Sequence, residues 1–164
     1  MASEIGVQTI QHTNGTDAMT IDSSGRVVTP ARPSFLARVS SNQSLSAQTR
    51  TLVQFGATDH NVGSHFSTST YKFTAPVDGI YQFGYHLYIY STTYSEMFFR
   101  IDGTRTYRQV GQIIGAARNP NGCHGSIAID LNANQTVDVE AYSEDAATVY
   151  SGDRSSIFYG YLVG

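Results

Sequence analysis

Residues 55–85 read FGATDHNVGSHFSTSTYKFTAPVDGIYQFGY, and the fold is decided in this stretch. Phe55, Phe66 and Phe73 stand wide apart, with Asn61 between the first two, and then Tyr81, Phe83 and Tyr85 crowd together just after Gly79. The crowded part alternates. Tyr81, Phe83 and Tyr85, continued by Leu87 and Ile89, take every second position, which is the period of a strand with one face in a core.

The same texture continues to the C-terminus. Ile127, Ile129 and Leu131 alternate with Ser126, Ala128 and Asp130, and Val137, Val139 and Ala141 alternate with Thr136, Asp138 and Glu140. Both runs predict strands whose first-named residues point inward, and the Asn132–Gln135 gap between them predicts a hairpin. Asp102-Gly103 predicts a second hairpin, because both central positions of a type I′ turn want positive φ. Its arms are Met97–Ile101 and Thr104–Val110, which set Arg100 opposite Arg105; like charges so placed need a compensating acid, for which Asp102 is the nearest choice. Two runs are apolar on both sides. Ile80, Tyr88 and Tyr90 oppose the inward set of one, and in the last run Ile157, Tyr159, Tyr161 and Val163 oppose Phe158, Gly160 and Leu162. In a two-layer protein such a strand needs a second burial partner, and another subunit supplies it. The alternative is that the tyrosines decorate the surface.

Composition narrows the class. A chain of 164 residues holds one core with a modest extension. It has 11 Tyr, 8 Phe and 15 Gly, no Trp, and Lys72 as its single lysine, a balance that favours strands and tight turns over helices. A net charge of −3 without clustered arginines argues against nucleic acid. No run of about 20 apolar residues is present to cross a membrane, and Met1–Gly6 does not read as a secretory leader. The sequons at Asn14, Asn42 and Asn134 are therefore read as chance, and a cytoplasmically made chain is expected. The single cysteine, Cys123, leaves no intrachain disulfide and reads as a buried small hydrophobe.

Residues 1–33 differ from the rest. Two weak strand candidates, Ile5–Ile10 and Met19–Val28, are broken by Asn14-Gly15 and Ser24-Gly25 and end at Pro30-Ala31-Arg32-Pro33. With so few large apolar residues the segment cannot build its own core, so it is either disordered or ordered by pairing with other chains. It reads as a tether, 1–33, ahead of a head domain, 34–164.

The spacing Phe55, Asn61, Phe66, Phe73, Gly79, Tyr81, Phe83 and Tyr85, with Thr74-Ala75-Pro76-Val77-Asp78-Gly79-Ile80-Tyr81 inside it, resembles the aromatic signature of the complement C1q globular head. Ser156-Ile157-Phe158-Tyr159-Gly160-Tyr161-Leu162 is similar to that family's last strand. The resemblance spans about 130 residues and implies an all-β, ten-stranded antiparallel jelly roll of the C1q and tumour necrosis factor type, assembled as a homotrimer with both chain ends at one end of the head. It makes Phe55, Phe66, Phe73, Gly79, Tyr81, Phe83, Tyr85, Phe158 and Gly160 structural core, the glycines lying where side chains would collide. Tyr88, Ile157, Tyr159 and Tyr161 become the trimer interface. The chain lacks a Gly-X-Y stalk, and Asn134-Gln135 stands near the place of a common Gly-Asp. Residues 15–33 instead resemble short repeats that join heads to shafts in bacteriophage fibres and virion appendages.

Catalytic and cofactor signals are missing. His12, His60, His65, His86 and His124 are dispersed, without metal-ligand spacing along the chain. Cys123 and His124 are adjacent, so in a strand they point to opposite faces. Asp59, Glu144, Asp145 and Asp153 are loop acids without a calcium-loop pattern and read as solvated. A non-enzyme with no cofactor or metal is expected. Counting strands back from the last one gathers the 91–95, 114–122 and 143–153 loops at the apex and the 102–103 and 132–135 turns at the base. Thr92, Thr93, Tyr94, Arg118, Asn119, Asn121, Asp145 and Tyr150 are then candidate receptor contacts, the alternative being ordinary polar loops. The expected function is the trimeric head of a viral particle, for host attachment or capsid decoration. Its expected partners are a larger virion component, through residues 1–33, and a host-surface glycan or protein; the alternative is a soluble lectin-like or protein-binding module of cellular origin.

Overall fold

The computed structural model describes residues 6–91, 93–113, 121–152 and 155–164, with backbone only along 105–113 and at 121. Two compact units divide the chain, Met1–Arg32 and Pro33–Gly164.

In the first unit, β1 (Thr9–Gln11), β2 (Asp17–Ile21) and β3 (Val27–Val28) form an antiparallel three-stranded meander. Its turns are local devices. Asn14 Oδ1 accepts the Thr16 amide at 3.0 Å beside Gly15, and the Asp22 carboxylate accepts the Ser24 and Arg26 amides at 2.9 and 3.0 Å and Arg26 Nε at 2.7 Å. These hydrogen bonds hold the Asp22 carboxyl below the usual carboxylate range, the Arg26 amide first among them. The strands pair within one chain, an arrangement the sequence reading did not offer. Asx-type turns fold the segment onto itself although it has no core.

The second unit contains no α-helix among its described residues. Its strands are β4 (Ser34–Arg38), β5 (Gln43–Leu45), β6 (Thr51–Leu52), β7 (Ala57–Val62), β8 (Phe66–Ser67), β9 (Lys72–Thr74), β10 (Gly79–Tyr90), β11 (Ser95–Ile101), β12 (Thr104–Ile113), β13 (Asn121–Leu131), β14 (Thr136–Ser143), β15 (Ala147–Val149) and β16 (Ile157–Leu162). This makes more pieces than the ten strands expected, because the long connections add ladders of two or three residues. One sheet runs β13, β10, β16, β4, β7, with β15 and β5 continuing from the far end of β10; the other runs β12, β11, β14, β9, β8, with β6 beside β14. All pairings among the described residues are antiparallel. The two sheets stack as a jelly-roll sandwich.

Tyr81, Phe83, Tyr85, Leu87 and Ile89 all lie in the core between the sheets, as do Phe55, Phe66, Phe73 and Phe158. Phe35 is at the centre. Its ring stacks on Phe66 and Phe73 with centroids 4.8 and 5.2 Å apart and meets Phe158 edge-on at 4.9 Å. A Cβ on Gly160 would stand 2.5 Å from Phe83 Cδ1 and 2.8 Å from Phe35 Cε1, so only glycine lets these rings close over β16. Gly79 opens β10 opposite Leu131.

Three details depart from the sequence reading. First, Asn132–Gln135 does not make a hairpin: β13 pairs with β10 and β14 with β11, so the turn carries the chain from one sheet to the other. The inward residues of the two strands face each other across the core, which alternation along a chain does not distinguish from two neighbours in one sheet. Second, Asp138 and Glu140 point away from the core as expected, yet both are buried. Arg100 Nε reaches Asp138 at 2.6 Å and Arg100 Nη1 reaches Glu140 at 3.0 Å, while Lys72 and Arg50 stand 3.7 and 3.9 Å from the same two carboxylates. Burial pulls the Arg100 guanidinium down, but the hydrogen bond and charge of Asp138, and then those of Glu140, outweigh it and hold Arg100 above its ordinary range. Third, Asp102 therefore does not compensate Arg100, although Arg100 does pair with Arg105 across the turn. Asp102 takes positive φ, 49°, followed by Gly103 at 75°. Its carboxylate accepts the Thr136 amide at 2.8 Å and Gln135 Nε2 at 3.1 Å, stitching the two base turns together. Those bonds, the Thr136 amide foremost, hold the Asp102 carboxyl below 3.8.

Two measurements check this account. Phe158→Ala empties the centre of the core and should cost about 3–5 kcal/mol, a large part of a domain's ~5–15 kcal/mol; a thermal midpoint within a degree of wild type would remove Phe158 from the core. Asp102→Asn should lower the midpoint at neutral pH. Since the folded Asp102 titrates below its ordinary value, the deficit should be full above about pH 4 and vanish as the pH falls through the lowered value. Melts between pH 2 and 7 would reveal a constant deficit if the charge were irrelevant.

Candidate functional site

The outer face of the β13–β10–β16–β4–β7 sheet is the most unusual surface of the head. Register places Ala128, Gln82, Tyr161, Ser34 and Val62 in one row, and Ser126, Gly84, Tyr159, Leu36 and His60 in the next. Ile157 follows, between His86 and Arg38, and Arg38 Nε reaches Asp59 at 3.1 Å. Among the described residues no second layer of this unit covers the face. Tyr159 lies flat across Gly84, where a Cβ would collide with its ring, so Tyr159 and Ile157 are half-buried while Tyr161 stays 44 % exposed. His86 meets Tyr88 edge-on at 4.9 Å and is paired across the ladder with His124, a juxtaposition with no signal in linear spacing.

Ser156 makes this face continuous. Along one edge β10 pairs first with β16 and then with β15, and between them Ser156 Oγ accepts the Tyr88 amide at 3.1 Å and donates to the Tyr150 carbonyl at 2.5 Å. The Tyr150 amide in turn donates to the Tyr88 carbonyl at 2.8 Å, which sets Tyr150 beside Tyr88. Tyr150 thus goes with this sheet, folded back over Gly152.

Thr93, Tyr94 and Asp145 gather on the opposite sheet. The Glu144 amide donates to the Tyr94 carbonyl at 3.0 Å, bringing the 91–95 loop against the strand end that leads to Asp145. Beneath them Ser143 Oγ bonds Ser91 and Ser95 at 3.1 and 3.0 Å, and Ser91 also accepts the Thr93 amide at 3.3 Å. The Tyr94 hydroxyl donates to Glu96, so Tyr94 lies along the flank of β11. Thr93, Tyr94 and Asp145 are together, and Tyr150 is apart from them. Asn121 pairs its backbone with Ile89; Thr92, Arg118 and Asn119 lie outside the described residues.

Burial silences the reactive groups. The Cys123 thiol is pushed up to about 11 by desolvation, which leaves it protonated at neutral pH, and burial likewise raises Tyr85. Among the described residues no three His, Cys, Asp or Glu side chains come together as a metal site.

The family profile of the C1q domain matches residues 34–163. The chain belongs to the C1q domain family. Solved structures similar to it include the globular domain of a zebrafish complement 1qA protein, at 17 % identity and TM-score 0.62, over 81 % of this chain and 98 % of that one. The Eiger TNF of S. frugiperda matches at 11 % and 0.62, over 81 % and 92 %. Murine APRIL matches at 13 % and 0.60, over 80 % and 99 %. At these identities the likeness is one of fold, the C1q and TNF-like jelly roll. No curated protein sequence matches the chain.

Ser156 offers a direct test of how this C1q domain is joined along β10. Ser156→Ala removes the partner of the part-buried Tyr88 amide and Tyr150 carbonyl and should lower stability by about 1 kcal/mol in denaturant unfolding. Unchanged stability would mean that the hydroxyl does not bridge the two strands.

Proposed function

We propose that this C1q domain is a trimeric, non-catalytic recognition head, in which three copies close the outer face of the β13–β10–β16–β4–β7 sheet against one another. The observation that carries the reading is the apolar patch of Leu36 on β4 with Ile157 and Tyr159 on neighbouring β16, which no second layer covers among the described residues, on a sheet whose other face is already filled by the core. Apolar surface of this kind is what a subunit contact buries. The opposite outer face is a poor competitor. There Phe98 is sealed under Arg50, 4.5 Å from its ring centroid, and the charges of Arg100, Asp138 and Glu140 are already paired. Homotrimers are also what the family resemblance implies.

The recognition surface in this reading is the apex, where Thr93, Tyr94 and Asp145 stand on a base of buried serine hydroxyls and three copies multiply a weak contact. The finer reading is that the head belongs to a virion, mounted through residues 1–33 and directed at a host-surface glycan or protein. Its support is the resemblance of residues 15–33 to fibre and appendage repeats.

Light scattering of the purified chain should return the mass of three copies, and Tyr159→Asp should return one copy that still melts cooperatively. A wild-type monomer at micromolar concentration would refute the trimer. Deleting residues 1–32 should leave the head's thermal midpoint nearly unchanged and abolish incorporation into particles, seen by antibody labelling in the electron microscope. Labelling confined to a cellular fraction, with no particles decorated, would favour a cellular C1q module.

A further inference from the structure

The small N-terminal sheet has one apolar side. Ile10 pairs with Met19 and Ile21 with Val27, and Met19 and Ile21 are two apart on β2, so all four side chains share a face. Thr9, Thr20 and Val28 share the other face, a mixed one. Met19 and Ile21 are half-buried, but Ile10 and Val27 remain 49 % and 59 % exposed. A three-stranded sheet of this size needs a covered apolar face to be stable in water.

We infer that this face is covered by second and third copies of the same segment, so that the anchors of three chains pack Ile10, Met19, Ile21 and Val27 together as a three-chain shaft. The inference rests on the proposed trimer. Continuity with that contact selects the occupant. The anchor unit ends at Arg32, and the carbonyl of Pro33 accepts the Leu162 amide at 3.0 Å, which fixes the start of the head onto β16, a strand of the proposed trimer sheet. Because each anchor is joined to its head through the peptide bond between Arg32 and Pro33, a trimer of heads holds three anchors at an effective concentration on the order of millimolar. The charged pair Asp22 and Arg26, in the turn before β3, neutralises itself within one chain and sets no like charges against each other between copies.

The test uses the full chain carrying Val27→Cys, compared with Thr20→Cys and wild type, treated with a short bismaleimide and run on a denaturing gel. Val27→Cys should give linked dimers and trimers, Thr20→Cys mostly single chains, and wild type none, because Cys123 is buried at 3 % exposure. Both positions lie on the surface sheet, so neither change strikes a core. If light scattering shows a trimer and Val27→Cys fails to link, or links no better than Thr20→Cys, the shaft is refuted while the trimeric head stands; a carrier protein would then cover the face. If scattering shows a monomer, the trimer reading and this inference fall together.

Discussion

On the inner face of β16 a full ring alternates with a missing side chain. Phe158 reaches into the core, and Gly160, two residues on, leaves the gap into which Phe83 and Phe35 press. This close approach ties the last strand between β10 and β4, the two strands that bring the central rings. Its consequences reach the surface. With β16 in mid-sheet, the end of the head lies beside its beginning, as the Leu162 to Pro33 hydrogen bond records, and the strand's outward residues, Ile157, Tyr159 and Tyr161, occupy the middle of an uncovered face.

The two outer faces of the sandwich are finished by different chemistry. On the β11–β14 side a fully buried carboxylate, Asp138, is acceptable because Arg100 and Lys72 bring compensating charge, and the guanidinium of Arg50 covers Phe98. That face is closed within one chain. On the β10–β16 side Tyr159 lies flat on Gly84, and with Leu36 and Ile157 it leaves an apolar patch framed by polar residues such as Gln82, His60 and His86. The first arrangement resists a partner, since desolvating paired charges further is costly; the second gains by burial. The polarity of the proposed assembly follows from this difference.

Much of the fold was legible from alternation alone. Tyr81, Phe83, Tyr85, Leu87 and Ile89 share a face because strand geometry requires it, and Asp102-Gly103 turns because both residues take positive φ. What alternation lacks is the identity of the neighbour. Ser126–Leu131 and Thr136–Tyr142 have ideal hairpin patterns, yet they belong to different sheets. The burial of Asp138 and Glu140 was hidden for the same reason, because Arg100 and Lys72 reach them from distant positions. The bridging role of Ser156 and the His86–His124 pairing had no signal in linear spacing, since each acts across strands far apart in the chain.

By itself the sequence determined the class of fold, the strands, the inward face of most of them, and the C1q signature, because these rest on local periodicity and on short-range steric limits that travel with the residues. Only the tertiary structure decided which strands are neighbours, which carboxylates are buried, where Tyr150 stands relative to Tyr94, and that Ile10, Met19, Ile21 and Val27 share one side of a small sheet. Those outcomes depend on pairings between segments far apart in the chain, and long-range registry is set by the packing of all the strands at once.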